Sequence, residues 1–196
     1  MPKDIYHKLQ YVTALRKPRK ELSEEILATP SLFPDLLKAC FAEDNKTSTK
    51  ACWVLEFVCK EKLEWILPYT DTFIDNIPKL KADGAIRSTG KVYELLCEYY
   101  FSKQQNPVRK SLTEEQLGKI AETCFDWLIG NEKVAVKAYA MRCLFLLGKK
   151  FQWIYPELQL VLQQGYTQHS AAYRSRAKHI LDKIREIEVD GNRLIE

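Results

Sequence analysis

Two stretches of the chain, 88 residues apart, carry one pattern: Phe57-Val-Cys-Lys-Glu-Lys-Leu-Glu-Trp-Ile-Leu-Pro68 and Phe145-Leu-Leu-Gly-Lys-Lys-Phe-Gln-Trp-Ile-Tyr-Pro156. Phe, Lys, Trp, Ile and Pro are identical at 57/145, 62/150, 65/153, 66/154 and 68/156. Half of this offset is 44 residues, which lies in the range of repeats built from pairs of helices. Because Trp65 and Trp153 recur in register, we expect them to pack between repeats rather than to stack on a ligand.

The spacing of apolar residues predicts an all-α fold. In 117–129 apolar side chains recur at i, i+3, i+4, i+7, i+8, i+11 and i+12, and 177–187 follows the same rule. No segment alternates with period two, and glycine (7) and proline (8) are scarce. Thr113 and Gln116 form a capping box that follows a polar loop at 102–112. The predicted helices are 3–16, 20–28, 32–42, 47–61, 64–80, 85–101, 113–129, 132–149, 153–164 and 170–187.

Composition excludes several classes of protein. The 196 residues are 46% hydrophobic and 29% charged, which is typical of globular domains and sufficient for a core without disulfides. No run approaches the roughly 18 apolar residues of a membrane span, and the N-terminus has no apolar signal segment. The six cysteines form no C-x-x-C pair, so we expect buried, reduced thiols. A cytoplasmic protein without a metal or cofactor is predicted.

A shorter motif, apolar–basic–x–x–small, recurs at the head of the second helix of each pair. Its copies begin with Ile86-Arg87, Val136-Lys137 and Tyr173-Arg174, and Thr49-Lys50 begins a degenerate copy that has Trp53 at the small position. We expect Trp53 either to cap a groove or to fill the N-terminal end of the stack of repeats. Because the macrodipole disfavours a cation at a helix start, we expect a compensating carboxylate or an anionic ligand.

This motif resembles that of HEAT and armadillo repeat proteins. The resemblance covers about 31–187 and implies an α-α superhelix of stacked hairpins with a concave binding face. It implies a single domain over 1–196, with an N-terminal helical cap at 1–30, about four repeats at 31–187 and a C-terminal tail at 188–196.

Three stretches are similar to those of short, uncharacterised bacterial helical-repeat proteins: Ala51–Lys60, Phe125–Leu128 and Glu132–Ala140. Some of these carry an adenylosuccinate lyase label. The signature loop of that enzyme, Gly-Ser-Ser-x-Met-Pro-x-Lys-x-Asn, has no counterpart here, because neither Met1 nor Met141 is followed by Pro-x-Lys-x-Asn.

No pattern of catalytic residues is visible. Ser88-Thr-Gly-Lys91 is not a phosphate loop, because five residues separate Gly84 from Gly90 and Val92 follows the lysine. The three histidines show no triad-like spacing, and paired carboxylates four residues apart are typical of solvated helix faces. A non-enzymatic protein is therefore expected.

Positive charge is concentrated near the C-terminus. Residues 133–185 hold ten basic and two acidic side chains, whereas the whole chain has a net charge of +4. On the concave face these cations would bind an anionic partner, or they form structural ion pairs between repeats. The candidate binding residues are Arg87, Lys91, Lys137, Arg142, Arg174, Arg176 and Lys178.

Two functions remain open. The first is a cytoplasmic scaffold that binds a protein partner through its concave face. The alternative is nucleic-acid binding through a basic groove, as the bacterial HEAT-like DNA glycosylases do; this analogy is limited to the fold and transfers no residue. No membrane partner is expected.

Overall fold

The structure is a computed structural model that describes residues 5–167 and 169–193, without the side chains of 190–193. Throughout this part of the chain the regular elements are all helical, which confirms the all-α prediction. The chain folds into two compact units, Met1–Lys119 and Ile120–Glu196, and the division falls within α8. The prediction of a single domain stays a prediction.

The described part of the chain contains eleven α-helices and three 3₁₀ segments. The helices are α1 Ile5–Gln10, α2 Arg16–Ala28, α3 Phe33–Cys40, α4 Asn45–Glu61, α5 Thr70–Asn76, α6 Asp83–Tyr100, α7 Pro107–Ser111, α8 Glu114–Ile129, α9 Val134–Leu147, α10 Ile154–Gly165 and α11 Ala171–Arg193. The 3₁₀ segments are Pro30–Leu32, Leu63–Tyr69 and Ile77–Lys79.

In the first unit, α4 is the central helix and packs against α2, α3 and α6. Its buried residues include Ala51, Val54, Leu55 and Val58, none of which exposes measurable surface. Burying one Leu or Val side chain contributes about 1.5–3 kcal/mol, so this helix anchors the unit. Only a narrow strip of α4 stays accessible to solvent.

In the second unit, α9 is central and packs against α10 and α11. The run Cys143–Leu147 is buried at five successive positions, because neighbouring helices cover α9 from several sides. This explains why the predicted helix at 132–149 is apolar nearly all round. The last helix, α11, continues to Arg193, beyond residue 187 where the apolar spacing ends.

The largest differences between the predicted and the observed helices lie in the first unit. The predicted helix 3–16 ends at Gln10, and a short irregular segment leads to α2 at Arg16. The predicted helix 64–80 is divided into 3₁₀, α and 3₁₀ segments, because Pro68 and Pro78 cannot donate the hydrogen bonds of a continuous helix. The polar loop predicted at 102–112 contains α7.

The capping box at the start of α8 is confirmed. The main-chain N–H of Gln116 donates to Thr113 Oγ1 (3.2 Å), and the Thr113 N–H donates to Gln116 Oε1 (3.0 Å). Gln116 Nε2 also donates to Thr70 Oγ1 (3.1 Å) and Asp71 Oδ1 (2.6 Å), which joins α8 to α5.

Thr113→Ala is expected to lower the free energy of unfolding by about 1 kcal/mol, because the Gln116 N–H loses its acceptor. Thr113→Ser keeps the oxygen and should remain close to the wild type. Urea titration followed by circular dichroism measures both. Equal losses in the two variants would contradict the capping role.

Replacement of glycine by alanine is expected to have opposite effects on stability at two positions. A Cβ at Gly148 would lie 2.2 Å from Tyr155 Cε1, whereas a Cβ at Gly118 meets nothing within 4 Å. We expect Gly148→Ala to destabilise by about 1–2 kcal/mol through overpacking. Gly118→Ala should stabilise by about 0.5–1 kcal/mol, because alanine favours the helix. Thermal unfolding of both variants distinguishes steric conflict from helix propensity.

The six cysteines are all buried, as predicted. Burial raises the pKa of the Cys59 thiol, as does the nearby Glu56 carboxylate, so this thiol stays protonated and unreactive at neutral pH. Among the described helices, none is long and apolar enough to cross a membrane.

Candidate functional site

The predicted basic residues fall in both units and differ in environment. In the first unit Arg87 is exposed on α6, and no described residue forms an ion pair with it. Lys91, one turn further along α6, is half-buried and forms an ion pair with Glu94. Lys91 therefore fits the interpretation of these cations as structural ion pairs, whereas Arg87 stays a candidate for binding an anionic partner.

Lys137 lies inside the second unit rather than on a binding surface. Its side chain is 2% exposed, and its Nζ donates to Leu128 O and Gly130 O, each at 2.7 Å. These carbonyls terminate α8, where the macrodipole is negative. Burial lowers the pKa of the Lys137 ammonium, and the nearby Glu132 carboxylate opposes that shift. The expected carboxylate or ligand is thus replaced by the end of the preceding helix.

Lys50 makes the same kind of contact in the first unit. Its Nζ donates to Leu9 O (3.0 Å) and Gln10 O (2.9 Å) at the end of α1. In these two copies of the motif, the basic residue caps the carboxyl end of an earlier helix. The predicted carboxylate or anionic ligand is not the direct hydrogen-bond partner at these two positions, because main-chain carbonyls accept from both lysines.

The predicted cations on α11 do not share one surface. Arg174 and Lys178 are both exposed and stand one helical turn apart, whereas Arg176 is two residues from each and points away from both. No described residue forms an ion pair with any of the three. Arg142, on α9, is half-buried.

A different surface combines aromatic rings with positive charge. We name it the α4 stripe, because its residues recur at helical spacing along the accessible side of α4. Its members are Lys46, Thr49, Lys50, Trp53, Phe57 and Lys60. The stripe contains three lysines and two half-buried aromatic residues. The carboxylate of the neighbouring Glu56 is engaged by Lys60 and by the Ser88 hydroxyl (2.8 Å).

Two arginines of α2 lie over these rings. The guanidinium of Arg19 is 5.3 Å from the centroid of Trp53 and 5.8 Å from that of Phe57, and Arg16 is 6.0 Å from Phe57. Arg19 is held in place because it donates to Ala14 O (2.7 Å) and Leu15 O (3.1 Å). Such cation–π contacts fix positive charge beside the aromatic surface.

A cleft of about 400 Å³ lies beside Trp53. One wall is the segment after α1, and the other is the N-terminal half of the α4 stripe. Gly84 at the head of α6 packs closely against two residues of this cleft. A Cβ at position 84 would lie 2.7 Å from Thr49 Cγ2 and 3.1 Å from Trp53 Nε1. The residues that line the cleft are Gln10, Val12, Thr13, Ala14, Lys46, Thr49, Lys50 and Trp53.

The seven candidate binding residues predicted from the sequence include no member of this surface. Arg16, Arg19, Lys46 and Phe57 were absent from them, since the prediction followed the basic charge at 133–185. One signal was present in the sequence: Trp53 occupies a position where the other copies of the motif have a small residue. In the structure Trp53 is half-buried and borders a cleft, and both interpretations of it stay predictions.

Both recurring tryptophans contact an aromatic ring, but Trp153 is 52% exposed whereas Trp65 is half-buried. Trp65 meets Phe33 edge to face with centroids 5.7 Å apart, and Trp153 stacks on Phe125 at 5.8 Å. In each unit the tryptophan thus contacts an aromatic residue of an earlier helix. Among the described residues no group of three or more side chains could hold a metal ion.

Pairs of helices packed around central helices, with an accessible strip of aromatic and basic residues, define a helical-repeat scaffold. The chain belongs to the HEAT repeat domain family, whose family model matches residues 12–184. No curated protein and no solved structure matches the chain.

Proposed function

We propose that this protein is a non-enzymatic, cytoplasmic scaffold that binds a protein partner through the α4 stripe. We further propose that the stripe belongs to the concave face of the repeat array. HEAT repeats typically mediate protein interactions, which supports a scaffold role. The choice of surface rests on the side chains of the first unit.

The observation that carries the proposal is the pairing of Trp53 and Phe57 with Arg16 and Arg19. Tryptophan and arginine are enriched among the residues that dominate protein–protein binding energy, whereas most surface lysines contribute little. Both rings are half-buried, so part of each remains available to a partner. Because α4 is the central helix of its unit, these side chains are presented on a rigid support.

The geometry around Trp53 favours a protein over a nucleic acid. A nucleobase needs a free aromatic face for stacking. Arg19 lies 5.3 Å over the Trp53 ring, and Thr49 and Gly84 crowd its neighbourhood. A partner side chain does not need a free aromatic face and would contact Trp53 from the adjacent cleft.

Site-specific photo-cross-linking tests the proposal. A photoreactive amino acid in place of Arg16 samples the surface beside Phe57, and the same amino acid in place of Asp35 on α3 is the control. In an extract of the source organism, we expect the first variant to capture one specific protein that the second does not.

Three outcomes would contradict this proposal. The first is capture of no protein at position 16, and the second is equal capture at both positions. The third is release of fumarate from adenylosuccinate by the purified protein, which would establish catalysis.

Nucleic-acid binding is the second candidate, and the exposed cations Arg174 and Lys178 favour it. Two cations one turn apart could contact adjacent phosphates, and such binding weakens steeply with salt. The test is affinity for duplex DNA and RNA at two salt concentrations. Absence of binding at low salt eliminates this candidate, and loss of binding in Arg174→Glu would favour it.

A further inference from the structure

The charged side chains that line the cleft beside Trp53 are all positive. The residues that line it include Lys46 and Lys50 and no carboxylate. Lys50 Nζ uses two N–H groups on Leu9 O and Gln10 O, and an ammonium has three, so one remains for another acceptor. Lys46 is exposed at the first turn of α4. An occupant of this cleft therefore meets donors and positive charge.

The acidic side chain at the start of α4 is already engaged. Asp44 caps α4 by accepting from the Lys46 N–H (3.2 Å), the Thr47 N–H (3.0 Å) and Thr47 Oγ1 (2.6 Å). The hydrogen bonds from Thr47 hold the pKa of the Asp44 carboxyl below its usual range. Asp44 lines an adjoining cleft of about 290 Å³ and not the cleft beside Trp53.

The rest of the cleft wall suits an apolar side chain. Ala14 and Trp53 contribute apolar surface to it, and the buried Val12 lies behind them. Interfaces commonly place one large anchor in such a pocket and surround it with polar contacts. A carboxylate beside the anchor would complement both lysines, and charge complementarity of this kind sets specificity and the rate of encounter.

We propose that the partner segment is acidic and carries one large apolar anchor. The anchor enters the cleft against Trp53, and adjacent Asp or Glu carboxylates pair with Lys46 and Lys50. This inference rests on the proposed function, since it names the chemistry of the partner at the same surface. It requires neither a particular secondary structure of the segment nor a particular protein.

Selection from a library of random dodecapeptides tests the inference directly, since it needs no purified partner. Peptides retained by the wild type are sequenced and synthesised, and their affinities for the wild type and for Lys46→Glu are then measured by fluorescence anisotropy. We expect them to combine Asp or Glu with one large apolar residue, and their affinity to fall as salt is raised. Lys46→Glu should weaken binding by about tenfold or more, as expected for loss and reversal of a close charge pair.

Lys103→Glu is the matched control, because Lys103 is also an exposed lysine of the first unit but lies outside both clefts. Its effect on peptide affinity should be within about twofold. Neutral or basic selected peptides, no enrichment at all, or equal effects of the two reversals would overturn the inference. Binding of a DNA duplex that Lys46→Glu abolishes, without peptide binding, would also overturn it.

The photo-cross-linking experiment distinguishes failure of the proposed scaffold function from failure of the inference on partner chemistry. If a protein is captured at position 16 but its cross-linked segment is not acidic, the inference on partner chemistry fails and the scaffold function stands. If no protein is captured, the proposed function itself fails. The library result then describes only the binding preference of the cleft.

Discussion

Replacing Lys137 with methionine is expected to lower the free energy of unfolding by about 3 kcal/mol. Methionine fills similar space but cannot donate to Leu128 O and Gly130 O, which now receive hydrogen bonds at 2.7 Å. A hydrogen bond to a charged group contributes about 1.5–3 kcal/mol, and an unsatisfied buried carbonyl adds a further cost. For a chain of this size the midpoint of thermal unfolding should fall by about 6–12 °C.

The other copies of the motif supply the controls. Arg87 and Arg174 hold the same motif position but are exposed, and neither forms an ion pair with a described residue. Arg87→Met and Arg174→Met should change stability by less than about 0.5 kcal/mol. Calorimetry of the three variants measures the contrast. A Lys137→Met protein as stable as the wild type would show that the buried contact is not needed.

Trp53→Ala is expected to weaken binding of the captured partner by about thirtyfold, which corresponds to about 2 kcal/mol. The substitution removes the ring that borders the cleft and that lies under Arg19. Arg19 keeps its bonds to Ala14 O and Leu15 O, so the loss reports the aromatic contact. Isothermal titration calorimetry with the purified partner measures the change, and circular dichroism verifies that the variant is folded.

Trp153→Ala is the matched control for this prediction. Trp153 is 52% exposed and belongs to the second unit, where it stacks on Phe125. Its removal should cost some stability and leave the affinity for the partner unchanged. If Trp153→Ala weakened binding as much as Trp53→Ala, the binding surface would not be confined to the α4 stripe.

Much of the helical architecture could be predicted from the sequence, because the information is local. Apolar spacing predicted a helix at 113–129, and α8 runs from Glu114 to Ile129. Segments with weak local signals were less predictable. The helix predicted at 3–16 ends at Gln10, and the irregular residues that follow it form one wall of the cleft.

The binding surface was harder to predict, because its parts come from distant positions. Arg19 and Trp53 are 34 residues apart, and only the packing of α2 on α4 brings them together. The sequence motif identified Lys50 and Lys137 as unusual cations at helix starts. It could not show that their partners are main-chain carbonyls, since every residue carries a carbonyl and none stands out in a sequence.

Hydroxyl-radical footprinting of the purified complex shows directly whether the partner covers the α4 stripe. The rate of side-chain oxidation reports solvent access at Trp53, Phe57 and Trp153 in one experiment. We expect partner binding to slow the oxidation of Trp53 and Phe57 severalfold and to leave the oxidation of Trp153 unchanged. Protection of Trp153 with no change at Trp53 and Phe57 would contradict the claim that the α4 stripe is the binding surface.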